Sequence, residues 1–266
     1  MRRVHGATLL ALAVGCAGLA VGATAAAAPR DDRFLTAYVE PQNADFAVYY
    51  EQLRATRFLE SVAEELNRVL RLPAAVTLRI AECGHSTTRW AADSRTVTVC
   101  YEFLAALVAI AAERADSQGR AEQLFSGAVT FALFAEIGRA LVDLYRLPAP
   151  HGAFAAGDEF AAITLAGSEH SGDSNAAAAI EFFDAALKSR DAGFEYLDMH
   201  AFDRARLETV ACILYGNAPG NHARALQLKI VPPARAPRCA EEVLAVAHTW
   251  DKNLHEHTRG AAVARP

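Results

Sequence analysis

The sequence predicts an α+β fold in which helices dominate, with a small β-sheet or hairpin followed by a helical body. Two segments, residues 75–80 and 96–101, alternate apolar and polar residues with a period of two, as half-buried strands do. Downstream of Glu102 the chain is rich in alanine and its apolar residues recur at helical spacing. With 266 residues, of which 53% are hydrophobic, the chain can build one sizeable core. We therefore expect a single domain over residues 29–266.

An amphipathic helix is predicted at residues 49–72, where charged residues separate the apolar ones and Leu72-Pro73 ends the pattern. The two strands follow, with a turn at residues 92–94 before the second. This order places a small sheet ahead of the helical body.

The helical body is predicted as a run of helices joined by short connections. Its helices are expected at residues 103–115, 121–146, 156–167, 174–189, 202–215 and 238–256. The two glycine-containing stretches at residues 152–172 and 216–237 are expected to be exposed loops.

The first 28 residues have the pattern of a secretory signal peptide. Arg2 and Arg3 precede an apolar stretch that ends in small residues before Pro29, which predicts cleavage near residues 26–28. No later stretch is expected to span a bilayer after cleavage, so the mature protein is predicted to be secreted or periplasmic. A lipid anchor at Cys16 is the alternative, although Ala13 stands where a lipobox usually has leucine.

Composition and motifs exclude several functions. The formal net charge is -5, which disfavours a nucleic-acid surface. The sequence contains no GxSxG elbow, no GxxxxGK[ST] loop and no GxGxxG after a strand. Serine-elbow acyl transfer and nucleotide binding therefore lack support.

Four cysteines remain after the predicted signal peptide: Cys83, Cys100, Cys212 and Cys239. An even number in an exported chain predicts two disulfides, and the spacing of a CxxC metal motif is absent. Four cysteines allow three pairings. The simplest joins Cys83 to Cys100 and Cys212 to Cys239, because these bonds close short loops.

The predicted helix around residues 122–147 is unusually apolar. Between Leu124 and Gly138 its only charged side chain is Glu136, and Arg139 follows three residues later. Such a helix belongs at the centre of a domain. A carboxylate there must be paired, hydrogen-bonded or protonated.

An ordered set of short motifs across most of the mature chain resembles a bacterial domain-of-unknown-function family of secreted zinc metallopeptidases. The matching residues, in order, are Leu72-Pro73, Glu82-Cys83-Gly84, Cys100-Tyr101-Glu102, Glu136-Ile137-Gly138, Leu147-Pro148, Asp158, Phe160-Ala161, Asp198, His200, Arg206, Cys212, Tyr215-Gly216, Cys239 and Glu241. The resemblance implies a zincin-like fold and the same two disulfides.

The resemblance also implies an HExGH helix, in which two histidines on one helix face bind zinc and the glutamate activates a water. Here that line reads Ala135-Glu136-Ile137-Gly138-Arg139, so both histidines are absent. The downstream acidic motif begins with Phe154-Ala155 and retains only its last acid, Asp158. Zinc is expected for the family, but no bound metal or other cofactor is expected here. Glu136 is a vestigial general-base position.

Arg139 is predicted to replace the missing cation by pairing with Asp158, with Glu136 or with both in the cleft. The alternative is that Arg139 extends to solvent and pairs only weakly with Glu136.

Four histidines complete the candidates. By resemblance, His200 lies near the cleft, where it would stabilise an oxyanion in an active enzyme or else hold the loop before residue 202. His151 could replace a zinc ligand, or be an ordinary loop histidine. His255 and His257 are expected at a solvated helix end.

The functional expectation is an inactive pseudoenzyme that serves as a binding or structural module for an unidentified protein or peptide partner. The alternative is an active zinc-dependent hydrolase with Glu136 as general base and non-standard ligands. A third class is an inhibitor or decoy that keeps a peptide-binding cleft and binds peptide without cleaving it.

Overall fold

The computed structural model describes residues 33–167, 172–191, 203–220 and 222–259. The predicted signal peptide, Cys16 and His200 lie outside these residues. The described chain is α+β with helices dominating, as predicted. Its strands and helices are β1 (Phe34–Tyr38), α1 (Ala47–Ala55), α2 (Phe58–Val69), β2 (Val76–Ala81), β3 (Thr88–Ala91), β4 (Thr96–Cys100), α3 (Tyr101–Arg114), α4 (Gln118–Tyr145), α5 (Ala153–Ala166), α6 (Gly172–Asp191), α7 (Arg204–Asn217), α8 (Ala223–Gln227) and α9 (Cys239–Leu254).

The strands form one sheet in the order β1-β2-β4-β3. β1, β2 and β4 are parallel, whereas β3 pairs antiparallel with β4 across the predicted turn. β2 and β4 confirm the two predicted strands. β1 and β3 were not predicted, because neither segment shows a clear alternation of apolar and polar residues.

The helix predicted at residues 49–72 is two helices. α1 ends at Ala55 and α2 begins at Phe58, because Arg57 adopts a left-handed conformation with φ of 53°. The hydroxyl of Tyr38 on β1 accepts a hydrogen bond of 2.9 Å from the Leu59 N–H in the first turn of α2. The break thus lets a strand side chain cap α2, a contact that helical periodicity does not encode.

Asn67 near the end of α2 holds both ends of the described chain. Its side-chain amide accepts from the Phe34 N–H at 2.8 Å and donates to the Phe34 carbonyl oxygen at 3.0 Å. Its backbone carbonyl accepts from Nε of Arg259 at 2.7 Å. The first strand and the last described residue therefore meet at one position.

α4 is the central helix of the body and packs against α3, α5 and α6. Among the described helices it alone has the length and apolarity needed to cross a bilayer, but 72% of its most apolar window is buried inside the protein. This burial is what a helix at the centre of a core requires, and it leaves Glu136 and Arg139 buried as well.

The predicted loops are partly structured. α5 (Ala153–Ala166) confirms the helix predicted at residues 156–167, so the overlapping expectation of an exposed loop at residues 152–172 is wrong for most of its described residues. Residues 216–237 contain the short helix α8 and the fully buried Ile230 and Val231. Glycine content misled the prediction in both places, because tertiary packing overrides a local loop signal.

Two disulfides confirm the predicted pairing. Cys83 is bonded to Cys100, which joins the segment after β2 to the end of β4. Cys212 on α7 is bonded to Cys239 at the start of α9. The first therefore ties neighbouring parallel strands together, and the second ties two helices of the body.

Candidate functional site

The site forms where α4 crosses α5. A Cβ on Gly138 would lie 2.7 Å from the Cβ of Phe160, and a Cβ on Gly157 would lie 2.8 Å from Cγ of Arg139. Glycine at both positions therefore permits a close approach of the two helices. This approach brings Asp158 into the same buried region as α4's charged residues.

Glu136 and Arg139 form a buried ion pair within α4. Their side chains are 4% and 10% exposed, and Nη2 of Arg139 contacts Oε2 of Glu136. The alternative in which Arg139 extends to solvent is therefore wrong, and the expected contact of Arg139 with Glu136 is present. The residues lie three positions apart, a spacing that places them on neighbouring parts of the helix surface.

Strand β3 also contacts the Glu136 carboxylate. The Thr88 hydroxyl donates to Oε1 of Glu136 at 3.4 Å, and the Trp90 backbone N–H donates to the carboxylate. Farther along α4, the Trp90 indole N–H donates to Asp143 at 3.1 Å. Burial raises the pKa of Glu136 to about 7, although Arg139 and the hydrogen bonds that Thr88 and the Trp90 backbone donate to Glu136 oppose the rise.

Asp158 is held by Arg206 of α7 rather than by Arg139. Nε and Nη2 of Arg206 donate to the two carboxylate oxygens at 2.6 and 2.8 Å. Burial raises the pKa of Asp158, while Arg206 acts in the opposite direction. The expected pairing of Arg139 with Asp158 is thus replaced by a two-pronged pair from a third helix, although Arg139 still acts on Asp158 through its charge.

The aromatic ring of Phe154 covers both arginines. Its centroid lies 4.4 Å from Cζ of Arg139 and 5.5 Å from Cζ of Arg206. A ring in this position interacts favourably with a guanidinium through its electron-rich face. Sequence reasoning did not assign Phe154 or Arg206 to the site. Two features of the sequence pointed to them: Phe154 begins the acidic motif, and Arg206 is among the residues that match the family.

The other predicted histidines do not join this cluster. His151 is exposed and lies 3.8 Å from Glu159, and no described contact links it to Asp158. α9 ends at Leu254, and the ring of His257 stacks on Tyr145 at 3.8 Å. His255 is exposed, as expected for a solvated helix end, whereas His257 is half-buried because Tyr145 stacks on its ring.

The described side chains around Glu136 do not fit a zinc ion. Ala135 offers a methyl group, Arg139 offers only N–H donors, and Phe154 offers a phenyl ring. The remaining carboxylates are engaged by arginines. Catalytic zinc requires three protein ligands, and these groups do not supply them.

Elsewhere in the described chain, one group of potential metal-ligating residues lies close together, namely Cys83, Cys100 and Glu102. The two cysteines are bonded to each other. The Glu102 carboxylate accepts hydrogen bonds from the backbone N–H groups of Cys83 and Gly84. The carboxylate therefore anchors the disulfide loop, and a thiolate ligand set is absent from this cluster.

A family model with the description "Putative metallopeptidase", for a domain-of-unknown-function family, matches residues 38–254. The match spans well over half of the chain. The protein belongs to this metallopeptidase family. The matched span contains α4, α5 and α7, and therefore all four charged residues of the site. No curated protein and no solved structure matches the chain.

Proposed function

We propose that this member of the metallopeptidase family is an exported, non-catalytic binding or structural module. The observation that carries the proposal is the contact between Arg139 and Phe154. By resemblance, both stand at positions that would supply zinc ligands. Two replacements that pack against each other support an exchange of the ligand set for a different, mutually compatible arrangement.

The chemistry of the site supports the same proposal. A peptidase of this kind needs a Lewis acid and a water-activating carboxylate. Here a guanidinium provides the positive charge, and it cannot bind a water as a metal does. Glu136 contacts Arg139 and receives hydrogen bonds from β3. Its carboxylate therefore contributes to packing α4 against the sheet.

Export is part of the proposal. The pattern of residues 1–28 supports a cleaved signal peptide, and disulfides persist mainly in oxidising compartments. The extracellular space and the periplasm both meet this condition. Anchoring through Cys16 is the competing arrangement, and mass spectrometry of the purified chain distinguishes a lipidated Cys16 from a start near residues 26–28.

Metal analysis and a cleavage assay test the loss of catalysis. The purified protein is expected to contain well below one zinc per chain after exposure to excess zinc, and to cleave neither casein nor a peptide library. Restoring all three ligand positions with Ala135→His, Arg139→His and Phe154→Glu tests whether the cleft still resembles a zinc site, and gain of tight zinc binding is expected. Stoichiometric zinc in the unsubstituted protein, with cleavage abolished by a chelator and by Glu136→Gln, would overturn the proposal.

One observation favours an active hydrolase as the second candidate. The pKa of Glu136 is raised to about 7, which is the range in which a carboxylate acts efficiently as general base. In that case Glu136→Gln removes a measurable activity and leaves the fold intact. The absence of a described ligand set next to Glu136 makes the non-catalytic module the better supported function.

A further inference from the structure

We draw no further inference here: the strongest candidate, the apolar outer face of α3 on which Val108, Ala109 and Ala112 are exposed, carries nothing, because nothing in the described part of the structure shows what covers it.

Discussion

The two buried ion pairs of the site differ in what they connect. Glu136 and Arg139 lie three residues apart on one helix and meet through a single nitrogen. Asp158 and Arg206 lie 48 residues apart on two helices and meet through two hydrogen bonds of 2.6 and 2.8 Å. The first pair neutralises two buried charges within α4, whereas the second holds α5 against α7.

The two pairs therefore affect different properties, namely what the cleft binds and how the helices pack. A change in the pair within α4 can alter what the cleft binds without moving a helix, because both partners belong to the same rigid element. A change in the pair between α5 and α7 removes a link between helices. The pair within α4 is therefore the place where a family member could exchange a metal site for another function while keeping its fold.

The largest expected effect comes from breaking the pair between helices. Asp158→Asn removes the buried carboxylate that Arg206 binds through two hydrogen bonds and is expected to lower the free energy of unfolding by about 3–5 kcal/mol. Urea unfolding measures this loss. A double change to apolar residues, Asp158→Leu with Arg206→Met, is expected to recover part of it. A loss below about 1 kcal/mol in Asp158→Asn would contradict a linking role.

The pair within α4 is expected to make the stability of the protein depend on pH. Burial raises the pKa of Glu136 from its ordinary value of 4.5 to about 7. The folded protein therefore keeps a proton that the unfolded chain has released. The stability from this site is fully present below pH 4.5 and is lost as pH rises to about 7.

Glu136→Gln removes this titration and is expected to flatten the pH dependence of stability between about pH 4.5 and 7, where the unsubstituted protein loses on the order of 3 kcal/mol. Thermal unfolding across this range provides the measurement. Glu64→Gln, which alters an exposed pair with Arg57, is the matched control and is expected to change stability by less than about 0.5 kcal/mol. A Glu136→Gln variant with the same pH dependence of stability as the unsubstituted protein would contradict the titration of Glu136 in this range.

The smallest expected effect concerns the ring that both arginines share. Phe154 is 41% exposed, so Phe154→Ala is expected to cost about 1 kcal/mol through the loss of its contacts with the guanidiniums. Leu244→Ala, at an exposed leucine on α9, is the control for simple loss of surface apolar contact and is expected to cost less. Equal losses in urea unfolding would show that the arginines contribute nothing measurable to the contact.

The sequence was informative where a property is local. The apolar pattern around Glu136 predicted a buried central helix, and the cysteine spacing favoured the pairing that the structure confirms. Properties that depend on distant elements were not predictable. Arg206 reaches Asp158 across 48 residues, and Thr88 reaches Glu136 across the same separation. Hydrophobic periodicity describes one element at a time, so it cannot identify such partners.

The corrections have a common physical origin. The left-handed residue Arg57 divides a helix whose apolar pattern continues, and Tyr145 covers a histidine predicted to be solvated. In each case a backbone conformation or a contact from elsewhere in the fold outweighs the local preference. The resemblance supplied the position of the cleft, whereas only the packing of α4, α5 and α7 supplied the partners within it.

The position of Asn67 bears on how the protein can be attached or rearranged. Because Asn67 binds both Phe34 and Arg259, the first strand and the last described residue lie at one place in the fold. A short glycine-serine linker from Arg259 to residue 33 would therefore close the described chain into a ring, and new termini would open in an exposed loop. A reporter or surface tether joined at either of these two positions would hold the molecule from the same point.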